Sequence, residues 1–160
     1  MKNSDSGARA GALEVREEQD PLLHRLMPSP DPAARFFWMS GADGRLRIEQ
    51  CDACEYLVHP PSGHCPRCGG DRCTPRPVSG RGTIHSYTVN YQQWFVGQPP
   101  YIIVIIDLDE QAGLRLTSNL LDCAPDDVFV GMRVSVRFLA RHGVWYPVFV
   151  PSQAMESDSA

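Results

Sequence analysis

The chain has 160 residues, of which 42% are hydrophobic and 21% are charged, and it carries a formal net charge of −4. This composition is close to the globular average and suits one ordinary domain or two very small ones. The acidic balance and the single lysine, Lys2, argue against phosphate-driven binding of duplex nucleic acid and against lysine-based catalysis in the folded part.

We expect neither a membrane segment nor an export signal in this sequence. No stretch reaches the roughly 20 apolar residues of a membrane-spanning helix, and the opening "MKNSDSGARAG" has no apolar centre. The six cysteines are therefore expected in a reducing compartment, where thiols stay free or bind metal. These features predict a cytoplasmic protein.

The N-terminal part is predicted to be helical after a polar tail. Residues 1–12 are mostly small or polar and are expected to be disordered. Within 13–45, the segment Leu13–Met27 has ragged apolar spacing that allows a helix, and "SPDPAARFFWMSGADG" begins like one. Asp31 suits the N-cap and Pro32 suits the first helical position, and glycines are available to end the helix.

Residues 46–75 contain a cysteine motif that is typical of metal sites. "RLRIEQC" alternates apolar and polar residues, which predicts a short strand entering "CDACEYLVHPPSGHCPRCGG". Two Cys-x-x-Cys pairs can supply four thiolates to a tetrahedral zinc ion, and a segment too small to bury a core is stabilised by the metal. The predicted zinc ligands are Cys51, Cys54, Cys65 and Cys68.

Other interpretations of the cysteines stay open at this point. Disulfides are compatible with the count, and an iron tetrathiolate uses almost the same ligands, whereas a thioredoxin-like pair lacks its strand-to-helix context. Four thiolates leave no open position for water, so the predicted metal is structural. His59 and His64 flank the second pair, and either could replace a cysteine as a metal ligand. Because four sulfurs suffice, both are expected to serve as polar loop residues.

After Gly70, the segment "DRCTPRPVSGRG" is predicted to be a linker or bend. Five β-rich segments follow it: "TIHSYTVNYQQW", "YIIVIIDLD", "LRLTSNL", "RVSVRFLA" and "VWYPVFV". Their spacing predicts a five-stranded OB-type barrel over 76–151, with a longer connection before the fourth strand in which Pro125–Asp127 is typical of a helix start. Residues 152–160 are expected to form a second disordered tail.

The barrel segments show no motif for catalysis. A phosphate-binding glycine loop and a serine nucleophile elbow are absent from the sequence. His85 and Ser86 are neighbours in a strand and point to opposite faces. Asp107 and Asp109 share a face, where a solvated strand end is the favoured interpretation. We therefore predict no catalytic residue in this chain.

Trp94 and Phe95 lie in "YQQWFVGQPPY", at the expected end of a strand and before two prolines. Large aromatic residues in such a loop either pack beneath the barrel or anchor a partner protein. The sequence leaves both arrangements open, and it makes Trp94 and Phe95 the candidate partner-binding residues.

The order of these motifs resembles the acyl-CoA-associated zinc-ribbon/OB-fold family, long catalogued only as a domain of unknown function. The matching pieces are "FFW", the cysteine segment, "GRGTIHSYTVN", "PPYIIVIIDLDEQAGLRL", "DDVFVGMRVSVRF" and "PVFVP", and they cover about Phe36 to Pro151. The resemblance implies a mainly β protein with an N-terminal helical segment, a rubredoxin-like zinc ribbon and a C-terminal OB barrel. One departure is Glu55, where such ribbons often have glycine.

The resemblance also implies a function. Such proteins are companion subunits of thiolase-like enzymes, including lipid-transfer-protein-type thiolases and the aldolases that shorten steroid side chains, and the partner holds the catalytic residues. We therefore expect a non-catalytic subunit of a heteromeric acyl-CoA thiolase or retro-aldolase. It would hold a structural Zn²⁺ and contact the coenzyme A of the partner's acyl-CoA substrate. Arg72, Arg76 and Arg81 are candidates for the CoA phosphates, although most arginines only solvate a surface.

Two other functions stay open. Zinc ribbons and OB barrels recur in proteins that bind single-stranded nucleic acid, and Tyr87, Tyr91 and Trp94 are available for base stacking. The acidic total argues against this function. A rubredoxin-like electron carrier would hold iron and be red, whereas a zinc protein is colourless.

Overall fold

The computed structural model describes residue 28 and residues 32–152. The predictions for residues 1–27, for the Asp31 cap and for residues 153–160 lie outside the described residues. The described part contains one short α-helix, one 3₁₀ turn and eight strands, which confirms a mainly β protein. The elements are α1 (Arg35–Met39), the 3₁₀ turn (Ser40–Asp43), β1 (Arg47–Cys51), β2 (Leu57–Val58), β3 (Cys73–Pro77), β4 (Arg81–Asn90), β5 (Tyr101–Leu108), β6 (Arg115–Leu120), β7 (Arg133–Arg141) and β8 (Val144–Pro151).

The helix α1 begins later than the sequence predicts. Pro32–Ala34 form a turn, and the N–H groups of Phe37 and Trp38 both donate to the Ala34 carbonyl, at 3.1 and 3.4 Å. Pro32 therefore precedes the helix instead of opening it. The side chain of Phe37 is buried, and the helix continues directly into the 3₁₀ turn.

The strand β1 is the centre of a three-stranded antiparallel sheet in the order β2-β1-β3. Gln50 pairs with Leu57 of β2, and Cys51 pairs with Cys73 of β3. The strand β3 lies in the segment that was predicted to be a linker or bend, so that prediction is wrong. Its two prolines lack N–H groups, but β3 has a neighbouring strand on one side only, and edge strands accept proline.

The strands β4 to β8 close into a barrel in the order β4-β5-β6-β8-β7, and β7 pairs back onto β4. The pairs are antiparallel except for β6 and β8, which are parallel where Leu120 meets Phe149. A register shift between Ile84 and Ser86 marks a bulge in β4, and a bulge bends a strand as barrel closure requires. Five strands closed in this way confirm the predicted OB-type barrel.

The connection between β6 and β7 does not contain the helix start that was predicted at Pro125–Asp127. Pro125–Asp127 form a single turn, with the Asp127 N–H bonded to the Ala124 carbonyl at 3.0 Å, and no helix follows. Val128 is buried, and the Gly131 N–H already donates to the Ile84 carbonyl at 2.9 Å. The chain must return to β4 within these few residues, which leaves no room for another helical turn.

The ribbon sheet and the barrel share one hydrophobic core. Leu46, Ile48 and Leu57 from the ribbon side belong to the same buried cluster as the inward faces of the barrel strands. Every second side chain of β5 is buried, as the period-two geometry of a strand with one inward face requires. These side chains are Ile102, Val104, Ile106 and Leu108. The cysteine segment is therefore packed onto the barrel.

Candidate functional site

The four cysteines of the two Cys-x-x-Cys pairs converge on one point. All four Sγ atoms lie within 4.8 Å of one another, and the Cys51–Cys68 and Cys54–Cys65 Sγ pairs are each 3.6 Å apart. Four sulfurs placed tetrahedrally about 2.3 Å from a zinc ion would be roughly 3.8 Å apart. The cluster therefore fits a tetrahedral tetrathiolate site in both donor chemistry and spacing.

Two turns of the same design present the sulfurs. In the first, the Glu55 N–H donates to the Cys51 carbonyl at 2.9 Å, and in the second the Gly69 N–H donates to the Cys65 carbonyl at 2.9 Å. Both turns place the residue after the second cysteine in the left-handed region, with φ of 59° at Glu55 and 76° at Gly69. This conformation explains why glycine suits the position that Glu55 occupies.

The crowding of the thiols gives them opposed ionisation tendencies. Burial opposes the ionisation of Cys65, but the backbone N–H groups of Cys68 and Arg67 and the adjacent thiols outweigh it and lower its pKa to about 7. The Tyr56 N–H favours the Cys54 thiolate, yet burial and the three neighbouring thiols raise the pKa of Cys54 to about 12. A divalent cation resolves this conflict because it permits all four sulfurs to be thiolates.

The two histidines near the cluster differ from each other. His64 is exposed, and its Nδ1 lies 3.0 Å from the carbonyl oxygen of Ser62. His59 instead packs inward, with its ring centroid 5.2 Å from that of Phe37, and burial lowers its pKa. The expectation that His59 serves only as a polar loop residue is therefore wrong.

The remaining thiols lie outside the cluster. Cys73 faces Cys51 across β1 and β3, and burial together with the negative charge of Glu49 raises its pKa. Burial also raises the pKa of Cys123, whose Sγ lies 3.5 Å from the Ala124 carbonyl oxygen. Both side chains are therefore protonated and weakly reactive at neutral pH.

The two aspartates of "DLDE" form ion pairs on the outer face of the barrel. Asp107 accepts from Arg115 Nε at 2.9 Å and contacts His85 Nδ1 at 2.9 Å, and these partners lower its pKa, with Arg115 as the larger cause. Asp109 forms a two-pronged pair with Arg133 at 2.7 and 2.5 Å. Sequence reasoning placed the aspartates correctly on one face but missed both arginines, because the partners come from other strands.

The loop between β4 and β5 displays its aromatic residues. Tyr91, Trp94 and Phe95 are 64%, 68% and 46% exposed, and Val96 is fully exposed. Local bonds shape the loop, since the Trp94 N–H donates to the side chain of Gln98 and the Gln98 N–H donates to the Phe95 carbonyl. Residues 91–100 contain no charged side chain. These residues therefore do not pack beneath the barrel, and their role as partner-binding residues stays a prediction.

A second exposed apolar pair was missed by sequence reasoning. Phe129 and Val130 are 57% and 62% exposed at the turn that leads into β7. The Met132 N–H donates to the Phe129 carbonyl at 3.2 Å and closes this turn. Two apolar residues directly before a glycine, in a turn-rich connection, were the available signal.

No helix among the described residues has the length and apolar character needed to cross a bilayer.

The comparisons with protein families match two adjacent parts of the chain. Residues 38–72 match the model described as the ChsH2 rubredoxin-like zinc ribbon domain. Residues 75–139 match the model described as the ChsH2 C-terminal OB-fold domain. Together the two models cover the cysteine cluster and most of the barrel.

Several curated proteins are related in sequence. A probable enoyl-CoA hydratase alpha subunit of Thermomonospora curvata is 33% identical over 87% of this chain and 44% of its own. A DUF35 domain-containing scaffold protein of Methanocaldococcus jannaschii is 35% identical over 56% of this chain and 64% of its own. The benzoylsuccinyl-CoA thiolase subunit BbsA of Thauera aromatica is 36% identical over 49% of this chain and 56% of its own. The chain thus spans less than two thirds of each of these relatives.

Among solved structures, a chain of the Ltp2-ChsH2(DUF35) aldolase aligns with a TM-score of 0.71 and 32% identity. The alignment covers 78% of this chain and 98% of that one. With identity at this level over nearly the whole of the solved chain, and with the ribbon and barrel in the same order, the chain belongs to the DUF35 family of ChsH2-type proteins, which join a rubredoxin-like zinc ribbon to a C-terminal OB fold.

Proposed function

We propose that this protein is a non-catalytic subunit of a heteromeric acyl-CoA thiolase or retro-aldolase. In this proposal it works in the cytoplasm and supports a thiolase-like, lipid-transfer-protein-type partner in acyl-CoA or steroid side-chain degradation. The observation that carries the proposal is the alignment with almost an entire chain of the solved Ltp2-ChsH2(DUF35) aldolase. A relative named as a thiolase subunit adds support for a thiolase-like partner.

The metal in this proposal is a structural Zn²⁺ held by Cys51, Cys54, Cys65 and Cys68. The sulfur spacing and the purely thiolate donor set support this assignment. When bound, the ion supplies folding free energy to a segment that has few large apolar residues of its own. Metal analysis of freshly purified, colourless protein should find about one zinc per chain, whereas a red protein would hold iron.

The partner-binding residues in this proposal are Trp94 and Phe95. Aromatic enrichment and depletion of charge mark the centres of protein interfaces, and the loop 91–100 has both properties. Exposed aromatic side chains are also frequent hot spots of binding energy. The loop therefore suits a protein surface better than a phosphate backbone.

A contact with coenzyme A completes the proposal. Arg72 and Arg76 are exposed around β3, and Arg81 is exposed at the start of β4. Guanidinium groups match the geometry of phosphate oxygens. These three arginines are the candidates for meeting the CoA arm of the partner's substrate.

The test is co-expression with a lipid-transfer-protein-type thiolase encoded nearby, followed by co-purification and an acyl-CoA cleavage assay. We expect no turnover by the isolated chain and turnover by the complex. Replacing Trp94 and Phe95 together with alanine should weaken association at least about tenfold. The matched control replaces the exposed pair Phe129 and Val130 with alanine and should associate normally. Turnover by this chain alone would overturn the proposal.

Single-stranded nucleic-acid binding is a second candidate function, because Tyr87, Tyr91 and Trp94 are all exposed and open to stacking. The absence of charge in the loop 91–100 counts against it. Binding to an oligonucleotide measured at several salt concentrations separates the two functions. Affinity that falls steeply with salt would favour this candidate over the first.

A further inference from the structure

We propose that Gln111, in the turn between β5 and β6, couples metal binding by the ribbon to the order of that barrel turn. The inference rests on the proposed zinc site. It adds that metal binding by the cysteine cluster changes the order of a barrel turn through one side chain.

Gln111 takes the place of a neighbouring strand for β2. Its Oε1 accepts from the Leu57 N–H at 2.8 Å, and its Nε2 donates to the Leu57 carbonyl at 3.0 Å. Leu57 belongs to the outer strand of the ribbon sheet, so its backbone has no partner strand on that side. A primary amide matches both groups because it carries one acceptor and one donor side by side.

On the ribbon side, Leu57 directly follows a residue that is tied to two cysteines. The Tyr56 carbonyl accepts from the Cys51 N–H at 2.9 Å, and the Tyr56 N–H bonds to the sulfur of Cys54. A metal that fixes the first cysteine pair therefore fixes Tyr56. The backbone of Leu57 is then held where the Gln111 amide meets it.

On the barrel side, the two residues before Gln111 hold the turn in place. Asp109 pairs with Arg133 of β7, whose guanidinium also donates to Thr83 of β4 at 2.9 Å. Glu110 accepts from the backbone N–H of Ser79, just before β4. Three consecutive side chains thus contact three different parts of the molecule. Asp109 contacts the barrel strand β7, Glu110 contacts the segment just before β4, and Gln111 contacts the ribbon.

Loss of the metal releases the first cysteine pair and with it the backbone that Gln111 recognises. The turn 109–114 then keeps its barrel contacts but loses its ribbon contact, so it opens more often. Linkage requires the reverse effect as well, because a side chain that binds only the metal-loaded arrangement must strengthen metal binding by the same factor. Two hydrogen bonds of ordinary net strength correspond to roughly a tenfold change in zinc affinity.

The experiment compares Gln111→Leu with the wild-type full chain and with Gln93→Leu, which makes the same change in an exposed loop. Zinc affinity is measured by competition with a chelating dye. Hydrogen exchange of peptides covering 109–116 is followed by mass spectrometry with and without chelator. We expect Gln111→Leu to bind zinc roughly tenfold more weakly and to exchange fast in this turn even when loaded. Wild type and Gln93→Leu should exchange fast there only after chelation.

Gln111→Glu guards against loss of folding, since it keeps the acceptor for the Leu57 N–H and should give an intermediate affinity. Circular dichroism of each zinc-loaded variant checks the fold. Unchanged zinc affinity in Gln111→Leu, or exchange of 109–116 that is as slow in zinc-loaded Gln111→Leu as in zinc-loaded wild type, would overturn the coupling. A wild-type chain that takes up no zinc in titration overturns the metal assignment itself, whereas zinc uptake without these effects overturns only the role of Gln111.

Discussion

His59 joins the ribbon to α1 through its contact with Phe37, and burial lowers its pKa from the ordinary value of 6.5. The unfolded chain therefore binds a proton more readily than the folded one below that value. Above pH 6.5 the neutral His59 side chain does not lower the free energy of unfolding. That free energy falls as the pH drops from 6.5 toward the pKa of His59 in the folded state. In urea unfolding measured from pH about 7.5 down to about 5, the free energy of unfolding should fall for the wild type. It should fall less for His59→Gln, which lacks the titrating side chain.

Proton competition for the cysteines would also lower stability in acid, so the comparison is made at saturating zinc. A wild type and a His59→Gln variant with the same slope of stability against pH would show that the histidine contributes nothing.

Glu55 holds a φ of 59°, a conformation that costs most residues about 1–2 kcal/mol. Glu55→Gly removes this cost but adds freedom to the unfolded chain, so we expect stability to stay level or rise by up to about 1 kcal/mol. Glu55→Val, which is β-branched, should lose about 1–2 kcal/mol. Denaturant unfolding of the zinc-loaded proteins measures both. A less stable glycine variant would contradict the conformational argument.

Single residues differ in how much of their role is visible in sequence. The four cysteines could be predicted as one set because their spacing alone reports the two turns. The position of His59 could not, because its burial depends on Phe37, which is 22 positions away in the chain. The ion pairs of Asp107 and Asp109 likewise depend on strand register, which no local pattern reports.

At the scale of elements, β5 offers an internal comparison between its two faces. Ile106 is fully buried in the barrel, and its neighbour Ile105 is half-buried on the opposite face. We expect Ile106→Ala to lower the free energy of unfolding by about 2–5 kcal/mol because it leaves a cavity. Ile105→Ala should cost under about 1.5 kcal/mol. Equal losses in urea unfolding would mean that the alternation does not describe the strand.

The elements that sequence predicts best are those with a strong period. The alternation of β5 and the turn residues around the barrel strands sufficed to predict five strands and an OB-type barrel. The strand β3 could not be predicted because Pro75 and Pro77 normally argue against a strand. Pro125–Asp127 have the composition of a helix start, but the anchoring of Gly131 to Ile84 overrides it.

For the whole molecule, the shared core predicts that metal and barrel stability are linked. Leu46, Ile48 and Leu57 pack with barrel residues, so loosening the cysteine segment exposes part of a common core. We expect a single thermal transition for the zinc-loaded protein and a midpoint lowered by several degrees after chelation. Cys65→Ser should behave like the chelated protein. A midpoint insensitive to chelator would show that the ribbon is stabilised without metal.

The packing of the ribbon sheet against the barrel could not be predicted from the sequence. Gln111 and Leu57 are 54 positions apart in the chain, and no local sequence pattern around either residue predicts their contact. The predicted boundary at 75/76 falls inside β3, which runs to Pro77 in the ribbon sheet, and the division into domains stays a prediction.

The outer rim of β3 has a consequence for how this molecule meets other chains. The Val78 N–H donates to the Leu46 carbonyl, so alternation along the ladder turns the backbone groups of 73, 75 and 77 away from β1. Two of those three positions are prolines, and Gln111 covers the opposite rim at Leu57. Pairing of a foreign β-strand with this sheet through backbone hydrogen bonds, or fibre growth from it, is thereby disfavoured.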